Sequence, residues 1–158
     1  MITQFHILLT CTMLGTQFAT PQVTHYPSPI PRIGDRIPCG PVDSIVYAIA
    51  SAQLSHGCKA ICGGIPFFLA TNDWITISYI STRDSSFSTP DGVRVGQSYE
   101  RVRWLGGSQI VPEIGWAYYS YLPSGWCAKY SGFPGGTSTD SRFILAPCDS
   151  VVCEIFLR

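Results

Sequence analysis

Apolar positions along the chain follow two different periods. Ile45, Ala48, Ile49 and Ala52 recur at the i, i+3, i+4, i+7 spacing of a helix face, and they predict a helix over residues 41–54. Asp43 or Ser44 is placed to cap its start, and Gly57, just after His56, to stop it. Farther on the period drops to two. Ile75, Ile77 and Tyr79 alternate with Thr76 and Ser78, so residues 74–82 read as a strand with one face in and one out. Residues 65–70 form a partner strand across the turn cluster Thr71-Asn72-Asp73. A short helix is expected over residues 97–105, with Tyr99, Val102 and Leu105 along one side and Gly106-Gly107 ending it. Residues 116–122 and 126–131 make a hairpin around Pro123-Ser124-Gly125. Residues 142–146 and 151–157 make a last one. Hairpins need antiparallel partners. The predicted class is α+β: an antiparallel sheet of about six hairpin-paired strands, covered on one face by one or two helices.

The ends of the chain add a different organisation. Residues 1–19 contain no Lys, Arg, Asp or Glu, and an apolar run from Ile7 passes through Cys11, Met13 and Leu14. That run is too short to span a bilayer and fits the core of a secretory signal peptide, cleaved after Ala19 or Gly15. Residues 20–38 hold five prolines, including Pro27-Ser28-Pro29-Ile30-Pro31, and read as an extended arm without helix. Residues 39–158 then form a single domain. No later stretch is long and apolar enough for a membrane helix, so an extracellular, soluble product is expected.

Composition narrows the function classes. Ten basic and ten acidic side chains give a net charge of zero, which argues against a nucleic-acid binder of the basic-surface kind. Apolar residues make up 46% of the chain, too many for intrinsic disorder. Signal removal takes Cys11 and leaves Cys39, Cys58, Cys62, Cys127, Cys148 and Cys153, an even set that reads as a disulfide framework. One bridge is expected to tie Cys39 to Cys58 or Cys62, and another Cys127 to Cys148 or Cys153, with no thiol left free. The lone Asn, in Asn72-Asp73-Trp74, is in no glycosylation sequon.

Candidate chemistry is sparse. His56, Cys58 and Cys62 have zinc-ligand chemistry, but exported cysteines pair with each other, so no metal or cofactor is assigned. His25 lies in the Pro-rich arm, and His56 with Asp43 lacks a Gly-x-Ser-x-Gly nucleophile elbow. Carboxylate pairs suited to glycoside cleavage would come from Glu100, Glu113 and Glu154, with Glu113 shielded between Pro112 and Ile114 and its pKa raised. The densest feature is aromatic. Trp116, Tyr118, Tyr119, Tyr121, Trp126 and Tyr130 fall close together, and rings exposed on a sheet suit protein recognition or sugar stacking. These six are the candidate binding residues; buried cross-strand packing is the competing reading.

Two resemblances accompany these motifs. Ser88-Thr89-Pro90-Asp91-Gly92-Val93-Arg94-Val95-Gly96-Gln97-Ser98 resembles a strand–turn–helix segment of some small exported bacterial proteins, and implies only local structure. In general build, with short signal, Pro-rich arm and paired cysteines, the chain resembles small secreted cysteine-rich fungal proteins, many of them effectors. The expected function is therefore a secreted binding protein, an effector or inhibitor meeting a protein or carbohydrate outside the cell. The alternative is a small secreted hydrolase using carboxylate chemistry. Export predicts that mass spectrometry of protein from culture medium finds the first 15 to 19 residues removed; an intact Met1 on exported protein would overturn this.

Overall fold

The structure is a computed structural model and describes residues 24–25, 28–41, 44–113, 115–131 and 150–158. Its strands are β1 (Thr24–His25), β2 (Ile45–Ala50), β3 (Gln53–Cys62), β4 (Ile65–Thr71), β5 (Tyr79–Thr82), β6 (Val111–Glu113), β7 (Ala117–Tyr121), β8 (Cys127–Tyr130) and β9 (Val152–Leu157); the helix α1 is Tyr99–Trp104. All nine strands belong to one sheet, in the order β1-β3-β4-β5-β9-β8-β7-β6, with β2 also on β3. Every pairing is antiparallel except that of β1 with Ala60 and Ile61 of β3. The expected α+β class therefore gives way to a nearly all-β fold. Among the described residues the six-residue α1 is the helix, and no helix is long and apolar enough to cross a membrane.

The largest correction falls on residues 41–54. The expected helix is the β2–β3 hairpin, with Tyr47 opposite Ser55 and Ile45 opposite Gly57. Ile45, Val46, Tyr47 and Ile49 are β-branched or aromatic and suit a pleated surface. Their helical spacing conceals an equally good alternation of Ile45, Tyr47 and Ile49. Ala52, with φ of 54°, makes the reversal that a helix would have passed through. Gly57 is no helix stop: it lies in mid-strand, where a Cβ would come 2.8 Å from the Phe68 ring. Other expectations were closer. The short helix forms, capped by the Ser98 hydroxyl accepting from the Arg101 amide. The aromatic hairpin is β7–β8, while the strand expected from residue 74 starts only at Tyr79. Its beginning is occupied by a turn in which the Asp73 carboxylate accepts from the amides of Ile75 and Thr76. The proposed strand 142–146 lies outside the described residues.

The sheet curls into a half-barrel. The β2–β3 hairpin and the β6 border meet without a ladder: the Trp116 indole donates to the Ala48 carbonyl at 2.9 Å, and the Ser51 amide donates to Glu113 at 2.8 Å. Ile49, Phe68, Ala70, Tyr79, Ala117, Tyr119, Cys127 and Phe156 fill the concave side. On the convex side Ala60, Phe67, Leu69, Ile80, Ala128 and Ile155 are covered by Ile37, Phe87, Val93 and Val102 from loops and α1. Both faces of the central strands are thus buried.

Cys39 and Cys58 are bridged, tying the Pro-rich arm to β3. Closing that loop contributes about 3 kcal/mol. The fully oxidised framework is not what the structure contains: Cys62, Cys127 and Cys153 are free thiols. Cys127 stands opposite Phe156, three residues along β9 from Cys153, which is about 10 Å and beyond bridging distance. Cys62 is three strands away from Cys153, about 14 Å along the sheet, and points to the face opposite Cys127. Cys148 lies outside the described residues and has a single bond to offer. Burial pushes the thiol pKa of Cys62 up to about 11 and that of Cys127 up to about 12. Denaturant without reductant should therefore expose at least two titratable thiols per chain, whereas Cys62 stays unlabelled in the native protein. Finding no thiol in denaturant would overturn this pairing logic.

Candidate functional site

A buried acid organises the concave side. Glu154 sits in β9 among Val152, Cys153, Ile155 and Phe156 and has no exposed surface. Its alternation in the strand points it to the same face as Phe156, into the curl. Tyr47 and Tyr79 each donate a hydroxyl to it at 3.3 Å. Arg83 donates Nε at 3.3 Å and Nη2 at 3.1 Å, and Lys129 Nζ stands 3.6 Å away. Burial first, and then the Glu154 charge, raise the pKa of both tyrosines, which keeps them protonated as donors. Aromatic rings run on from this cluster. Tyr47 lies 4.5 Å from Phe68, Tyr79 stacks 5.8 Å from Phe156, and Phe156 meets Trp116 and Tyr119 edge-on at 5.2 and 5.4 Å.

The curl is plugged at the Trp116 end and, among the described residues, open at the other. There Ile45, Tyr47, Lys59, Pro66, Phe68, Ser81, Arg83 and Asp84 line a cleft of about 440 Å³. The mouth of a barrel is a favoured place for small ligands. Each wall has a local origin. Ile45 and Tyr47 come from alternate positions of β2, Lys59 stands opposite Phe68 across the β3–β4 ladder, and Arg83 and Asp84 follow the end of β5. Arg83 Nη2 also donates to the Tyr47 hydroxyl at 2.6 Å, which links the rim to the buried acid. The Asp84 carboxylate accepts from the amide and hydroxyl of Ser86, and these bonds hold its pKa below the usual range.

The aromatic cluster expected to bind is mostly structural in its placement. Tyr119, Trp126 and Tyr130 are buried, Trp116 and Tyr118 are half-buried, and Tyr121 is 48% exposed. Tyr119 and Tyr121 share the concave face, while Trp126 and Tyr130 pack beneath the convex one. Trp116 sits at the seam with Lys129 Nζ 4.5 Å and Arg158 Cζ 5.3 Å from its ring centre. Glu113 completes this second cluster, accepting from Ser51, from Tyr119 at 3.3 Å and from Arg158 at 2.8 Å.

The other candidates do not converge. Cys58 is bridged, and Cys62 lies six residues from His56 along an extended strand, about 20 Å away. Among the described residues no group of three or more His, Cys, Asp or Glu could hold a metal ion. His25 belongs to β1, and Asp43 lies outside the described residues. Glu100 stands exposed in the first turn of α1. A larger surface hollow, of about 780 Å³, lies between the arm and Trp74, but one of its two charged side chains, Asp35, is engaged in a turn with the Arg32 amide.

Glu113 departs from its expectation. Partial burial pushes its pKa up, but hydrogen bonds from Arg158 and the Ser51 amide, with the Arg158 charge, outweigh this and hold it below the ordinary glutamate value. A folded pKa below the unfolded one stabilises the fold above the unfolded pKa, and the gain is lost as pH falls through the folded value. The stability advantage of wild type over Glu113→Gln should therefore be present at neutral pH and close as pH falls below the ordinary glutamate range. Denaturant melts of both proteins across that range measure it; a gap independent of pH would refute the Glu113 assignment.

Tyr47, Lys59, Phe68, Arg83 and Asp84 had no signal in local spacing, because the cleft draws them from three strands and a loop. Glu154 did have one: a lone charge inside an otherwise apolar run. Comparison with known protein families, with curated proteins and with solved structures finds no match to this chain.

Proposed function

We propose that this chain is an exported binding protein that holds a ligand in the mouth of its curled sheet. The observation that carries the reading is the cleft itself: an aromatic pair, half-buried Tyr47 and buried Phe68, with the polar groups of Lys59, Ser81 and Arg83 converging on it. Such a hollow, apolar in its floor and polar at a few points, is the usual form of a small-ligand site. The uncharged apolar start of the chain and the Cys39–Cys58 bridge support an extracellular setting, since bridges persist in oxidising compartments.

Binding fits the carboxylates better than glycoside hydrolysis does. A general acid needs a raised pKa. Asp84 and Glu113 are instead held ionised by the donors around them, and Glu154 is enclosed by four partners.

A fragment screen by amide-detected NMR tests the proposal. Small aromatic fragments should shift the amides of Lys59, Phe68, Ser81 and Arg83 together, and Ile45→Trp, which places a large ring at the rim, should abolish those shifts while preserving the rest of the spectrum. Fragments that map only elsewhere, or to no residue, would defeat it.

A further inference from the structure

The chemistry of the ligand follows from which charges around the cleft are already engaged. This step rests on the binding role proposed above and adds the class of molecule bound. Asp84 lines the cleft with one carboxylate oxygen engaged, and Glu154 lies enclosed beside it. Glu154 receives Tyr47, Tyr79, Arg83 and Lys129, and Asp84 receives Ser86. The cations are less fully engaged. Lys59 is exposed, lines the cleft, and has no carboxylate within ion-pair distance among the described residues. Arg83 uses Nε and Nη2 on Glu154 and Tyr47, its Nη1 makes no hydrogen bond among the described residues, and its side chain is 66% exposed.

Among the described residues Lys59, Arg83 and Lys129 are set against Glu154 and Asp84, which leaves one positive charge uncompensated. A single negative charge brings the site to neutrality, whereas a cation would add to the excess and a dianion would overshoot it. Beside the two cations lie the apolar surfaces of Ile45, Tyr47, Pro66 and Phe68. We propose that the cleft takes an organic monoanion: a carboxylate between Lys59 and the outer edge of Arg83, joined to a flat apolar body resting on Tyr47 and Phe68. Paired cations recognise a carboxylate by charge-assisted hydrogen bonds, and the ring floor supplies contact area without needing its own polar partners.

Naphthalene-2-carboxylate and its neutral counterpart naphthalene-2-carboxamide, which share a ring and differ in charge, test this directly. Titration followed by NMR at the Lys59, Phe68 and Arg83 amides should show the carboxylate binding about five- to tenfold tighter, a margin that shrinks as salt is raised. Lys59→Met, at an exposed position outside the core, should lower carboxylate affinity more than carboxamide affinity and so remove most of the preference. Equal affinities for the two molecules, or a preference that survives Lys59→Met, would overturn the monoanion assignment and leave the cleft standing as a binding site. If neither molecule moves those amides while other aromatic fragments do, the monoanion assignment alone fails; if no molecule moves them, the binding role fails with it.

Discussion

A carboxylate with no exposed surface must be answered by the protein around it, and Glu154 sets that condition for this fold. Removing such a charge from water costs several kcal/mol unless hydrogen bonds and opposite charges replace the solvent. The replacements come from far apart in the chain: Tyr47 from β2, Tyr79 from β5, Arg83 from the loop beyond it and Lys129 from β8. Satisfying one acid therefore fixes the relative placement of both halves of the sheet. Arg83 serves on two sides. Its inner nitrogens neutralise Glu154, and its exposed portion lies on the wall of the cleft, so the electrostatics of the interior and of the ligand site are continuous.

The curl has a steric origin as well. Gly57 lets the Phe68 ring lie against the β3 backbone, and the rings of Tyr47, Tyr79, Phe156, Tyr119 and Trp116 fill the hollow that follows. At the Trp116 end the filling is closed off where Trp116 of the β6–β7 turn reaches Ala48 of β2 and Glu113 of β6 reaches Ser51 just beyond it. At the Ile45 end no comparable plug is present among the described residues, and the cleft is what the packing leaves open.

Legibility in the sequence follows from how locally each feature is determined. The β7–β8 hairpin and α1 carry their own turn and cap residues, Pro123-Ser124-Gly125 and Ser98, and could be read from short windows. Residues 45–52 satisfy the helical and the strand period at once, and only pairing with β3, itself fixed by β4, decides between them. Strand β6 carries Pro112, which argues against a strand in the middle of a sheet but is tolerated at its edge. The aromatic cluster was visible as composition, yet composition does not say which face of a sheet is covered. Here both are, so Tyr119, Trp126 and Tyr130 are packing groups. The cleft residues span positions 45 to 84 with no periodicity of their own, and only the curl brings them together.

The way the seam closes also bears on self-association. An open sheet ends in two rows of unpaired amides and carbonyls that can recruit another chain's strand. In this half-barrel the two ends confront each other. Ala48 offers its carbonyl to an indole, Ser51 its amide to a side-chain carboxylate, and β6 carries a proline that cannot donate. Because these bonds end on side chains, they occupy the border without extending the ladder. The consequence is that this border presents fewer free strand groups to a second chain, while the sheet stops short of a complete barrel.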